Sequence, residues 1–191
     1  MDGMMKLSPV QAFMILLSGG RDYEPIKGKT WLQKEMFLLT KNTRLKEEIY
    51  FEPHFYGPYS ETVDIELENL EILGMIEENR GIRLTDVGKE VYEKLIKITS
   101  EEKLELISEI KEELNDLTED ELLAYIYFSF PETTKEAVKL ENIKKNRVKL
   151  AANLYKKGKV SIGMAAEISG MDIKSFMDRL RTVGVKIPLS L

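Results

Sequence analysis

The chain has 191 residues, with 28 Lys+Arg against 33 Asp+Glu, one His, no Cys and 43% hydrophobic residues, enough for a core in one or two domains. Without Cys there is no disulfide scaffold, thiolate metal cluster or cysteine nucleophile, and a single His is too few for the common zinc sites or for imidazole acid–base catalysis. Apolar runs stay short of the roughly 18 residues that cross a membrane, and Met1 to Lys6 lacks the basic flank and cleavage site of a signal peptide, so a soluble, cytoplasmic protein without membrane attachment is expected.

Ser8-Pro9 marks a helix start, and Gly19-Gly20 ends that helix. Thr30–Thr40 is a second helix, apolar on most sides and so central to a core. Tyr50–Tyr56 is aromatic and extended, with Pro53 confining it to an edge. Gly57-Pro58-Tyr59-Ser60 opens a third helix carrying Val63, Leu67 and Leu70, stopped by Gly74. Residues 75–77 and 82–84 flank the turn Glu78-Asn79-Arg80-Gly81 as a hairpin, and a helix follows over Asp86 to Ile98. This element order, over residues 1–98, is that of a winged helix-turn-helix domain.

A helical connector is expected over residues 99–137. Thr99 to Glu102 reads as a capping box, followed by the stripe Leu104, Ile107, Ile110, Leu114 and Leu117. A second box at Thr118–Glu121 opens the apolar segment Leu122–Phe130, stopped by Pro131. The stripe either packs on the winged domain or forms the seam of a homodimer, the form in which helix-turn-helix readers commonly bind paired half-sites. From about Lys135 a basic helix runs to Lys157, followed by helices over Ile162–Ser169 and Ile173–Val183 in a C-terminal domain, residues 138–191.

Charge divides unevenly along this plan. Residues 1–100 carry 13 Lys+Arg and 17 Asp+Glu, residues 101–131 carry 2 and 10, and residues 132–191 carry 13 and 6, so the net −5 conceals segments of −4, −8 and +7. The basic third coincides with a helix-turn-helix pattern. Ala166 lets the next helix cross closely, Gly170 makes the turn, Met171 plugs the core and Asp172 caps the second helix, with Ile173, Phe176, Met177 and Leu180 facing in. Lys174, Ser175, Asp178, Arg181 and Thr182 then face out toward base edges in the major groove of double-stranded DNA. Lys145, Lys149, Lys156, Lys157 and Lys159 supply charge for phosphates.

Over Val148–Pro188, notably LAANLYKKGKVSIGMAAEISGMDIKSFMDRLRTVGV, the chain resembles a family of small uncharacterised prokaryotic helix-turn-helix proteins regarded as antitoxin-like. The resemblance implies an antitoxin-like or transcription-factor-like role. Leu32-Gln33-Lys34, Phe37-Leu38-Leu39, Phe55 to Ser60, Leu84 to Gly88, Ala124 to Tyr127 and Pro131-Glu132 together resemble the YwgA-like winged-helix proteins over about residues 8–137, and more distantly the Panacea antitoxin domain.

On the third helix Glu61, Asp64, Glu68 and Glu71 recur at spacings of 3, 4 and 3. Such a face is repelled by phosphates and has no cation to read guanine, so the winged domain is expected not to bind DNA through it. Its alternatives are an ordinary solvated face or a docking surface for a basic protein partner. His54 lacks companion ligands and receives no metal, and no cofactor is implied. No nucleophile, base and orienter can be assembled, so the protein is not expected to be an enzyme. The expectation is mainly α with a small β wing: a winged helix-turn-helix plus a C-terminal helix-turn-helix, acting as a DNA-binding regulator or, alternatively, as a protein-interaction module.

Overall fold

The computed structural model of the chain describes residues 6–182. Those residues are mainly helical, with two small antiparallel sheets. In chain order the elements are α1 (Pro9–Tyr23), α2 (Lys29–Asn42), β1 (Glu52–His54), β2 (Gly57–Tyr59), α3 (Glu61–Ile72), β3 (Ile76–Glu78), β4 (Ile82–Leu84), α4 (Asp86–Leu95), α5 (Glu101–Asn115), α6 (Glu119–Ser129), α7 (Leu140–Lys156), α8 (Ile162–Ser169) and α9 (Ile173–Thr182). Two units divide the described residues: 6–52 with 58–116, and 53–57 with 117–182. The segment expected as a connector is thus shared, α5 falling in the first unit and α6 in the second.

The first unit is built around α2. Every residue from Leu32 to Thr40 is buried, including Gln33, Lys34 and Glu35. Burying polar side chains is costly unless they are hydrogen-bonded. Gln33 exchanges two bonds with the backbone of Ser60 and donates to Asp64 Oδ1 at 2.8 Å, while Lys34 Nζ donates to Pro58 O at 2.9 Å. These bonds pin β2 and the start of α3 to the central helix. With little else to offset burial, the Lys34 ammonium is pushed down to about 7.

At the end of α1 the chain takes an unusual path. Ser8 and Gln11 form a capping box at its start, as helix entry requires. Regular helix ends at Gly19, where an added Cβ would fall 2.3 Å from the Tyr92 ring of α4, so only glycine permits this crossing. Arg21, Asp22 and Tyr23 then have φ of 53°, 52° and 61°. Three successive left-handed non-glycine residues cost on the order of 1–2 kcal/mol each. Lys111 on α5 offsets that cost: its ammonium donates to Leu17 O and Gly20 O at 2.8 Å, to Glu24 O at 2.5 Å and, at the longer distance of 3.4 Å, to Ser18 O. One turn further along α5, Asn115 donates to Pro25 O and accepts from Lys27 N, and Leu114 O accepts from the Trp31 indole. Ile26, so positioned, bridges Ile82 of β4, which pairs with β3 in the register Ile76↔Leu84, Glu77↔Arg83 and Glu78↔Ile82.

Of the two alternatives for the α5 stripe, packing within the chain is the one that forms: Ile107, Ile110 and Leu114 are buried where α5 packs on α1 and α2, Leu104 is half-buried, and Leu117, just past the helix, is buried too. Several expectations need correction. Ser100, not Thr99, is the N-cap residue of α5 and makes no side-chain cap; the Thr99 hydroxyl instead donates to Leu95 O. Residues 57–59 form strand β2 rather than the opening of α3. The basic helix starts at Leu140, because Pro131–Thr134 is a tight 3-10 turn and Val138 N–H is spent on Phe55 O at 3.0 Å. The expected Val183 end of α9 lies outside the described residues.

Glu35 is fully buried, and neither carboxyl oxygen finds a hydrogen-bond partner among the described residues. Burial raises its pKa, Lys111 opposing and Glu24 adding to the shift. A raised carboxyl binds its proton more tightly folded than unfolded, so its contribution to stability falls as pH rises above the unfolded value of about 4.3, until the folded carboxyl ionises. Glu35→Gln removes this dependence. Over that window the stability of the variant relative to the parent grows by up to about 1.4 kcal/mol per pH unit, read from urea unfolding at successive pH values. Lys111→Met leaves several buried carbonyls without a donor and lowers stability by about 3 kcal/mol or more in the same assay.

Candidate nucleic-acid interface

In the second unit α7, α8 and α9 pack in sequence, with α6 against both α7 and α8. Thr118 and Glu121 form the expected capping box at the start of α6. Ile143, Leu150, Ala151 and Leu154 of α7, Ala165, Ala166 and Ile168 of α8, and Phe176 and Leu180 of α9 are buried. Small residues at 165 and 166 allow close helix approach. Ser161 caps α8 by accepting from Met164 N–H at 3.2 Å.

The turn between α8 and α9 follows from its chemistry. Gly170 has φ 75°, a left-handed C-terminal cap, and Met171 N–H reaches back to Ala166 O. Asp172 then caps α9: its oxygens accept from Ser175 N–H at 3.0 Å and from the Ser175 hydroxyl at 2.5 Å. The Ser175 hydroxyl and then its N–H hold the Asp172 carboxyl below its usual range.

Arg147 of α7 was not among the residues singled out from sequence. Its guanidinium donates to Ile168 O at 2.6 Å and Glu167 O at 2.9 Å, and stacks 4.2 Å from the Phe128 ring centroid of α6. A cation at a helix C-terminus also meets the negative end of the dipole. A Cβ on Gly170 would lie 2.7 Å from this guanidinium. Arg147 therefore ties α6 and α7 to the α8 end of the turn. Its sequence signal was hidden, since it sits within a run of lysines that reads as a solvated face.

Lys174, Ser175, Asp178, Arg181 and Thr182 are all exposed on α9. They do not present equal chemistry. The Ser175 proton is directed to Asp172, which leaves its oxygen as an acceptor. Arg181 pairs with Asp178 at 2.8 Å, an exposed i,i+3 bridge of little worth to stability. Lys174 projects from the first turn, and Arg179, which the sequence reading passed over, is exposed as well. Ile173, expected inside, is 51% exposed, and Met177 is half-buried.

On α7 Lys145, Lys149 and Lys156 are exposed, and at 100° per residue they share one stripe. Lys157 is committed elsewhere. Its ammonium donates to Glu121 Oε2 at 2.7 Å, and that carboxylate is only 4% exposed. Burial pushes the Glu121 carboxyl up, but bonds from Lys157 and Thr118 outweigh it and leave the pKa below normal. Lys159 is half-buried after the Gly158 turn. In the other unit Glu61 and Glu68 are exposed and Glu71 is half-buried, while Asp64 is taken up by Gln33 and by the Tyr59 hydroxyl at 2.9 Å.

The second unit is thus a helical bundle whose outer face carries separated cations. Residues 124–191 match the model of an uncharacterised protein family, UPF0175, which begins within α6 and includes the segment whose resemblance to a family of small uncharacterised proteins was noted above. Neither a curated protein nor a solved structure matches the chain. Among the described residues no helix is long and apolar enough to cross a membrane.

Gly170→Ala forces a side chain into left-handed backbone and against a guanidinium held on three sides. It is expected to lower stability by about 2 kcal/mol. Arg147→Ala removes the guanidinium's bonds to Ile168 O and Glu167 O, the latter keeping Gly170 N–H, together with its stacking on Phe128, and should cost about 2 kcal/mol. Thermal unfolding followed by circular dichroism checks both. A loss below about 0.5 kcal/mol for either would contradict the role assigned to this contact.

Proposed function

We propose that this protein is a DNA-binding regulator whose contacts come from the second unit. α8 and α9 would act as a helix-turn-helix, with α9 as the helix entering the major groove. The observation that carries the reading is the pairing of two things in one unit. The turn at Gly170 buries Phe176 and Leu180 and leaves the polar face of α9 exposed, and the stripe Lys145, Lys149 and Lys156 lies exposed on α7. Such a division suits recognition in which lysines position the duplex and a few helix residues specify sequence.

In this reading Lys174 and Arg181 meet base edges, with Arg181 exchanging Asp178 for guanine, and the Ser175 oxygen accepts a hydrogen bond from adenine or cytosine amino groups. Arg179 joins them. Lys157 is retained for its structural pair with Glu121, and Lys159 is a phosphate contact of lesser weight. The homodimer remains part of the proposal, because one short helix reads few base pairs and paired half-sites double them. Its seam must lie elsewhere than on α5. For the first unit we propose a winged helix-turn-helix variant, supported by its element order, in which α3 does not read DNA. The antitoxin-like role rests on the C-terminal resemblance.

The test uses the full chain and the DNA upstream of its own reading frame, with a random duplex as control. Lys174→Ala and Arg181→Ala are each expected to weaken binding to the specific site by about 1–3 kcal/mol. Lys145→Ala, Lys149→Ala and Lys156→Ala weaken specific and random duplexes alike, and each lowers the salt slope by about one. A specific complex that survives the combined loss of Lys174 and Arg181 sinks the role of α9.

A further inference from the structure

The exposed face of α3 has features that a solvated helix does not need. Glu61, Ile65, Glu68 and Ile72 lie at positions i, i+4, i+7 and i+11, and at 100° per residue they fall within one narrow arc. Ile72 is 83% exposed and Ile65 50% exposed. Isolated exposed apolar residues are ordinary. Two isoleucines in line, exactly one heptad apart and flanked by carboxylates, make a recognition stripe of the kind that an amphipathic helix reads by anchors at i and i+7.

The charge on this helix is one-sided. Its twelve residues include Glu61, Asp64, Glu66, Glu68 and Glu71 and no Lys or Arg. The inner acids are satisfied within the unit: Glu66 by Gln11 and Asn69, Asp64 by Gln33 and Tyr59. Glu61 and Glu68 make no hydrogen bond or ion pair among the described residues. Solvated helices gain a few tenths of a kcal/mol by placing cations four residues from such acids, and like charges three or four apart lose as much. Here Glu61 and Asp64, and Glu68 and Glu71, are like charges three apart. Lys29, which feels the charges of Asp64 and Glu71, is engaged by Glu78 at 3.2 Å.

We infer that the face Glu61–Ile65–Glu68–Ile72 docks a basic amphipathic helix of a protein partner. Ile65 and Ile72 insert between its apolar residues, and Glu61 and Glu68 meet flanking Lys or Arg. Nucleic acid is repelled by the same charges. A second copy of this chain does not offer the right ligand: the basic helix α7 buries Ile143, Leu150, Ala151 and Leu154 in its own unit. The surface therefore differs from the acidic face expected from sequence, losing Asp64 and Glu71 and gaining two isoleucines.

The probe is a synthetic Leu/Lys peptide of about five helical turns with leucines at helical spacing, and its control is the same composition scrambled to abolish that spacing. Fluorescence anisotropy against the full chain at physiological salt should give micromolar affinity, with the scrambled peptide at least tenfold weaker. The pair Ile65→Ser with Ile72→Ser, and separately Glu61→Gln with Glu68→Gln, should each weaken binding at least tenfold. All four side chains are exposed, so the melting curves should not move. Lys174→Ala with Arg181→Ala leaves peptide affinity unchanged, which separates this inference from the DNA reading. Equal affinity for the scrambled peptide, indifference to the isoleucine pair, or no binding at all overturns it. So does sedimentation showing a dimer that Ile72→Ser dissolves, because the occupant would then be a second copy.

Discussion

The first unit depends on one ammonium group. A helix end leaves its last carbonyls without partners, and α1 compounds that deficit by continuing into three left-handed residues. Lys111 gathers the carbonyls before and after that turn onto a single cation. Charge-assisted hydrogen bonds are about twice as strong as neutral ones, so one side chain can hold a backbone path that its own residues resist. The consequences run outward. Glu24 to Lys27 are fixed in place, Ile26 becomes a bridge partner for β4, and the hairpin is joined to the helices. The acid-rich helix α5 is therefore an integral wall of this unit.

In the second unit the corresponding role falls to Arg147, with a different outcome. Lys111 serves a buried backbone, whereas Arg147 fixes the angle between two elements whose outer faces are solvent-exposed. Its three partners come from α6 and α8. A recognition surface needs supporting residues locked by packing and hydrogen bonds. The polar face of α9 has such support on its inner side through Phe176, Leu180 and the Gly170 turn, and at its N-terminus through Asp172.

Elements specified locally could be read from the residues. Ser8, Thr118 and Asp172 cap as their spacing requires, the hairpin about residues 78–81 forms, and Gly170 turns left-handed. What could not be read involved partners distant in sequence. Lys111 is a lone cation among acids until the fold brings Leu17 to it, and Asp64 looks outward until Gln33 and Tyr59 claim it. Lys157 and Arg147 are indistinguishable from neighbouring lysines, although one stabilises a buried carboxylate and the other a helix end. Strand β2 escaped notice because Pro58 and Gly57 resemble a helix entry, and its position is set by Lys34 from another element. Local chemistry settled these caps and turns, though not the Thr99 box, whose hydroxyl bonds back to Leu95 O; which charged groups remain available to a ligand was a property of the fold.

The short segment 53–57, which belongs to the second unit while its flanks belong to the first, constrains how the molecule is made. Phe55 supplies a carbonyl to Val138, and Gly57 packs against the Tyr127 ring so closely that a Cβ would be 3.0 Å away. On the ribosome this tip emerges long before Tyr127 and Val138 exist. The first unit can close around α5 while the tip waits as an open loop; its partner Val138 arrives only after nearly three quarters of the chain has been synthesised, and the second unit completes only once α9 follows. Neither unit is therefore an interchangeable cassette. A recombination event that carried off residues 117–191 alone would leave behind a piece of their own structure.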